Sequence, residues 1–244
     1  MASGWWDNNG AITGCVAAYQ AIGVADLATS YVNLQNPGTN NAAPGVAPTF
    51  ATLTGWTFNG STQYLTTGVV PAAGYSAIVR FSGVGAPSTN APVLGSGNTG
   101  AANGFQMNPV AGALGGTSVQ YVYGNGFQTL VPQFTSGVIG ITPLHDYIDG
   151  GENGATGGTF SGAGQALYIG ARNNGGTADR FLPGSIQAVA LYSTTLTTPE
   201  MATLAALMNA LSGALGQPAA VRGVLVPGMN RDGRRIGASR IGWG

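Results

Sequence analysis

The chain has 244 residues, 42 of them glycine, and no lysine; only 7% are charged, against roughly 25% in an average soluble domain. At 44% hydrophobic with zero net charge, it lacks the composition of a disordered chain. The glycines follow no collagen-like period, and the long Glu/Lys/Leu heptads of a helical bundle are missing. What fits is one β-rich globular domain with many tight turns, and a single large sandwich accounts for the length.

Strand-like runs separated by turn signals follow in chain order. They begin with Val16–Tyr19 and Trp56–Phe58, the latter running into the turn dipeptide Asn59-Gly60. In Gln63–Thr67, Tyr64 and Thr66 share a face opposite Leu65. In Tyr75–Phe81, Tyr75, Ala77, Val79 and Phe81 share a face. Val93-Leu94, Phe105–Met107, Val119–Tyr123, Val138–Ile141, His145–Asp149 and Leu167–Gly170 extend the series, with Gly124-Asn125-Gly126 and Asp149-Gly150 as hairpin turns. Ser185–Tyr192 is apolar on both faces, Ile186, Ala188 and Ala190 against Gln187, Val189 and Leu191. It therefore reads as a central strand covered on both sides. Phe58, Ile169 and Ile186 are predicted core residues. Residues 36–48, 95–103 and 150–164 read as loops.

One helix is predicted at about 198–213. Thr197 and Glu200 have capping-box spacing, Pro199 fits a first turn, and Met201, Leu204, Met208, Leu211 and Leu215 form an apolar stripe that covers the sandwich. A short helix falls around 24–31. The predicted organisation is therefore a domain over 1–216 and an Arg/Gly-rich tail over 217–244. Residues 1–221 carry three arginines against seven acids, or −4. The remainder carries five arginines against Asp232, or +4.

No run of 18 apolar residues exists to span a membrane, and Met1–Asp7 has neither a basic nor an apolar signal region, so no secretory leader is expected. Cys15 is the only cysteine, which excludes an internal disulfide and reads as a buried apolar side chain.

Tests for chemistry point away from catalysis. Glu200 is assigned to the helix cap and Glu152 to a loop. Asp146 and Asp149, three apart on a strand, fall on opposite faces, so no glycosidase carboxylate pair is expected. One histidine and one cysteine cannot build a zinc site, and His145 reads as structural. Calcium ligands exist near 146–153 and 173–179, but without a recognisable spacing, so no cofactor is expected and bound calcium is not indicated. Gly95–Gly100 matches a G-x-G-x-x-G pattern by chance in so glycine-rich a chain. The tail arginines Arg222, Arg231, Arg234, Arg235 and Arg240, with Trp243, are read as partner-binding. They suit an acidic protein surface at least as well as nucleic acid, since the body has no basic patch, and no nucleic-acid partner is expected. Trp5 and Trp6 form a second partner-binding candidate, with packing back on the fold as the alternative.

Three segments resemble the concanavalin A-like lectin/glucanase jelly roll in its laminin-G-like form. They are Trp56–Leu65, similar to an aromatic–Asn–Gly–Ser hairpin; Tyr147–Gly150, similar to a strand ending in Asp-Gly; and Leu167–Arg172 followed by Phe181–Ile186, Val189, Leu191-Tyr192, Leu196-Thr197 and Glu200. The likeness covers residues 16–212. It implies an all-β antiparallel jelly-roll sandwich with a surface-binding role. The acidic strand of the glucanases has no counterpart here, so their hydrolytic activity does not carry over. The opening run from Cys15 through Trp56 also looks like jelly-roll proteins of phage. That resemblance implies a non-enzymatic virion subunit on the particle surface, a capsid decoration or tail/fibre component. Its expected partners are other virion subunits such as the major capsid protein and further copies of itself. The alternative is a carbohydrate-binding module in which Tyr121, Tyr123 and Phe127 stack on sugar rings.

Overall fold

The structure is a computed structural model and describes residues 4–87, 89–97, 101–130 and 132–213. In chain order it contains β1 (Cys15–Gln20), α1 (Leu27–Ser30), β2 (Ala43–Val46), β3 (Thr49–Ala51), β4 (Gly55–Asn59), β5 (Tyr64–Thr66), β6 (Ser76–Ser82), β7 (Leu94–Ser96), β8 (Phe105–Asn108), β9 (Val119–Tyr123) and β10 (Gly126–Leu130). It continues with β11 (Gly137–Ile141), β12 (His145–Ile148), β13 (Gly151–Ala155), β14 (Tyr168–Ile169), β15 (Arg172–Asn174), β16 (Thr177–Asp179), β17 (Pro183–Tyr192) and α2 (Thr198–Gly213).

These strands form the expected jelly-roll sandwich of two sheets. The first runs β13-β12-β11-β6-β17-β4-β3. With ten residues, β17 carries β4 on its first half and β1 on its second half along one edge, and β6 along the other. The second sheet runs β10-β9-β8-β7-β14-β5-β2, with the β15–β16 hairpin attached to β7 by a parallel pairing of Arg172 with Gly95. All other strand pairings among the described residues are antiparallel.

The alternation of β6 places Ala77, Val79 and Phe81 in the core between the sheets, where Phe58, Ile169 and Ile186 join them as expected. Opposite them, Ile78 lies on the outer face of the first sheet with Ala18, Val138, Tyr147, Ala188, Ala190 and Tyr192. That face is covered by Met201, Leu204, Ala205 and Met208 of α2, so the helical stripe covers the sandwich. Small residues let the helix come close. A Cβ on Gly140 would sit 2.7 Å from the Met201 Cε, and one on Gly150 2.8 Å from the Ala202 Cα. The helix start is closed as its spacing predicts, with the Glu200 carboxylate accepting both the backbone N–H and the hydroxyl of Thr197 at 2.7 Å.

Several expectations are corrected. In β17 the register shifts between Ile186 and Ala188. The Gln187 carbonyl at this bulge accepts the N–H groups of Ala21 and Ile22. The extra residue reverses the phase, so Ile186 shares the inner face with Val189 and Leu191 rather than with Ala188 and Ala190. Trp56–Leu65 is not a hairpin, because β4 and β5 belong to different sheets. Asn59 Oδ1 accepts the N–H groups of Ser61, Thr62 and Gln63, which makes the segment a corner between sheets. Residues 36–48 and 150–164, read as loops, contain β2 and β13. The Asp149-Gly150 turn is as predicted: Ile148 pairs with Gly151, and both turn residues have positive φ (47° and 82°), as a type I′ hairpin requires. Cys15 is half-buried rather than buried. Burial pushes its thiol up to about 12, and Asp7 adds to the shift against a bond from Ala17.

Candidate functional site

The predicted glycan-stacking trio does not form a platform. Tyr121 and Tyr123 are 0% and 3% exposed, and both point into the sandwich. The Tyr121 hydroxyl donates to the Tyr147 carbonyl at 2.8 Å. The Tyr123 ring packs 4.9 Å from Phe160 and 5.6 Å from Phe105. Phe127, 58% exposed on the edge strand β10, is the only surface aromatic of the three.

Trp6 is likewise buried rather than offered to a partner. It is 6% exposed in the cluster under α2, its Nε1–H donates to Gln35 Oε1, and its carbonyl accepts the Tyr192 hydroxyl. Trp5 stays partly exposed, with its Nε1–H donating to Gln20 Oε1 at 3.0 Å. Arg222, Arg231, Arg234, Arg235, Arg240 and Trp243 lie outside the described residues.

Of the titratable residues near 146–153, His145 and Glu152 pair and both act on Asp146, while Asp149 is engaged elsewhere. Asp146 is fully buried, and it pairs across the sheet with Ile141 of the inner core. Asp149 Oδ1 instead accepts the Val138 N–H. His145 Nδ1 lies 3.1 Å from Glu152 Oε1, and Glu152 Oε2 accepts the Thr198 hydroxyl. Among the described residues, no three His, Cys, Asp or Glu side chains are placed to hold a metal.

The segments singled out in the sequence meet elsewhere. The corner after β4 and the link from β16 to β17 enclose a hollow of about 360 Å³, whose walls include Asn59, Ser61, Thr89, Arg180 and Phe181. Each wall has a local cause. Asn59 is held by capping three N–H groups, and its Nδ2 donates to the Thr62 hydroxyl. Arg180 leaves β16 with φ +53°, a left-handed conformation costly for a side chain with a Cβ. Below it, Arg172 Nε donates to Asp179 Oδ1 at 2.7 Å, its Nη2 donates to Oδ2, and Asn174 Nδ2 also donates to Oδ2, at 3.2 Å. Burial raises the Asp179 carboxyl, but the bonds and charge of Arg172 outweigh it and hold the group below its ordinary value. Burial lowers the Arg180 guanidinium, the like charge of Arg172 adds to this, and Asp179 opposes it. It remains a cation throughout the physiological range.

Aromatic rings extend one side of the hollow. Tyr64 stacks on Tyr168 with centroids 4.7 Å apart and planes at 33°, and lies 6.3 Å from Phe181. A Cβ on Gly45 would fall 2.0 Å from the Tyr64 ring, so the glycine lets β2 run close behind it. Asn59, Ser61, Tyr64, Tyr168 and Phe181 were all visible in the quoted motifs as residues of a fold signature. Thr89, in the connection from β6 to β7 between the sheets, carried no signal.

No family profile and no curated protein sequence matches the chain. Solved structures do match, and what they share with the chain is the fold, a β-sandwich. Domain 4 of AbnA, a GH43 extracellular arabinanase from Geobacillus stearothermophilus, is 14% identical at a TM-score of 0.56, over 78% of this chain and 98% of that domain. A Trypanosoma rangeli sialidase mutant displaying trans-sialidase activity is 15% identical at 0.52, over 82% of this chain. A complex of the sialidase with a difluoro-KDN compound is 16% identical at 0.52. The chain spans about a third of the length of each sialidase (33%). At these identities the likeness is one of fold.

Proposed function

We propose that this chain is a carbohydrate-binding β-sandwich module whose saccharide seat is the hollow at Arg180 and Phe181. The observation that carries this reading is the composition of the hollow. One guanidinium, one amide and two hydroxyl side chains surround a cavity of about 360 Å³ with an aromatic ring in its wall. Sugars present hydroxyls at their rims and C–H groups on their faces, so this mixture of directional donors and acceptors with a ring supplies both kinds of contact. The arabinanase domain of similar fold was solved in complex with arabinotriose, which supports the reading.

We read the seat as non-catalytic. Among the described residues no carboxylate lines it, and Asp179, next to Arg180 in the chain, is engaged by Arg172, whereas the common route of glycoside hydrolysis uses two carboxylates. The narrower expectation of a phage virion subunit keeps as its support the sequence resemblance and the +4 tail.

The test is a glycan array followed by calorimetry, with arabinotriose and sialylated oligosaccharides as the first probes. Arg180→Ala and Phe181→Ala are expected to weaken binding at least tenfold while the melting temperature holds. Saccharide binding that neither substitution weakens overturns the assignment.

A further inference from the structure

A second cavity, of about 480 Å³, lies on the opposite face of the first sheet, between the N-terminal turn and the last turns of α2. Its floor is apolar, from Leu207 and Leu211 of the helix, and Trp5 forms one wall. The Trp5 ring has a fixed orientation. Its Nε1–H donates to Gln20 Oε1, Gln20 Nε2 donates to the Ile22 carbonyl, and the Trp6 ring meets it edge-on at 5.9 Å and 87°.

The rim is formed by Asn8 and Asn9, both with left-handed backbones (φ 47° and 57°). A knot of main-chain bonds keeps them there: Asp7 and Asn9 donate to the Gly4 carbonyl, and Gly10 and Ile12 donate to the Asp7 carbonyl. Among the described residues, no ionisable side chain lines the cavity. The turn is therefore held by its own main-chain bonds, and the side chains it presents are amides beside a clamped indole.

We propose that this groove is a second saccharide site, specific for uncharged sugars, that works independently of the Arg180 hollow. A pyranose or furanose ring offers a C–H face that stacks on the Trp5 indole and rests on the leucine floor. Its outward hydroxyls fall to the amides of Asn8 and Asn9, each of which both donates and accepts. The described lining residues carry no charge to pair with a uronate or sialate carboxylate, and burying such a group unpaired is unfavourable. The two sites thus divide the ligands by charge, with a cation in one and amides alone in the other. Two sites on one module raise the avidity for a polymer above that of either site alone.

The test uses the full chain and tryptophan fluorescence. Trp6 and Trp56 are buried, so Trp5 is the described tryptophan able to report contact at this groove. The probes are a panel of neutral gluco-, arabino-, xylo-, manno- and N-acetylglucosamine-based trisaccharides. At least one is expected to give a saturable change; by calorimetry, which needs no tryptophan signal, affinity is reduced tenfold or more in Trp5→Ala and several-fold in Asn9→Ala. Trp5→Phe, which keeps an aromatic face and guards against a folding defect, retains most of the affinity. Arg180→Ala leaves the titration unchanged, so failure here is distinguishable from failure of the Arg180 seat. Three outcomes overturn the proposal: silence across the panel, wild-type affinity in Asn9→Ala, or a fluorescence change that follows protein concentration without sugar, which marks the groove as a contact between copies.

Discussion

Asp146 is buried at 0% exposure, and its carboxylate lies against Gly154 of β13, whose backbone N–H opposes the effect of burial. It faces the sandwich interior beside Ile141. Burial therefore dominates its titration and pushes it from 3.8 up to about 6, against the pull of the neighbouring His145. Between those two values the unfolded chain releases the proton first, so stability falls as pH rises through the window and stays low above it. Two units of displacement correspond to about 3 kcal/mol. The part-exposed neighbours His145 and Glu152 bring solvent close to the carboxylate, which screens this to about 1–2 kcal/mol. Asp146→Asn cannot ionise. At pH 8 it is expected to be more stable than the parent by about 1–2 kcal/mol, or roughly 2–8 °C in melting temperature for a chain of this size. At pH 4 the difference should vanish, because the parent carboxyl is protonated in the fold. Thermal or urea unfolding at pH 4, 6 and 8 measures both values. An Asp146→Asn protein less stable than the parent at pH 8 would show that the carboxylate is compensated and would refute the reasoning.

Two further substitutions test the packing. Ile186→Ala removes a fully buried side chain from the inner face of β17 and is expected to cost about 2–5 kcal/mol by urea unfolding; an unchanged midpoint would misplace the bulge that turns Ile186 inward. Asp179→Ala strips the partner from Arg172, whose side chain is only 8% exposed. The expected cost is about 1–3 kcal/mol, with saccharide affinity at the Arg180 hollow falling further than stability does, because the β15–β16 hairpin that carries Arg180 loses its clasp. Intact affinity in a folded Asp179→Ala protein would separate the hairpin from the site.

What the sequence made legible was local. The two-residue period of β6, the stripe and cap of α2 and the Asp149-Gly150 turn depend on neighbours within a few residues, and all three appear where their patterns place them. The strands it hid are short edge pieces rich in polar residues and glycine. The exposed β13 reads Gly-Glu-Asn-Gly-Ala, and only pairing with β12 makes it a strand. The bulge at Gln187 was hidden for a related reason. Alternation presumes an unbroken ladder, and the break is made by the distant N–H groups of Ala21 and Ile22. Asn59-Gly60 signals a reversal, but the Asn59 carboxamide takes up the next N–H groups itself and sends the chain to the other sheet.

The same reasoning explains why the wrong aromatics were expected at the surface. In Val119-Gln-Tyr-Val-Tyr the period of two puts both tyrosines on one face but cannot say which face meets the other sheet. Residues opposite across the ladder decide it: Tyr121 pairs with Met107 and Tyr123 with Phe105, so both face the core. Tyr64 obeys the same period and comes out on the other side, because its neighbour Leu65 pairs with Ile169 of the core. A fold signature and the proposed binding surface are therefore written in the same residues here. The corner that carries the chain between sheets needs Asn59, and the strands that flank it need their inward Leu65 and Ile169. Alternation then leaves Tyr64 and Tyr168 facing outward beside Phe181. The sandwich fixes these rings and the Asn59 amide for structural reasons, and the strained turn at Arg180 adds the one charged donor. A ligand at this place meets side chains already held by the fold, so it pays little ordering cost on binding.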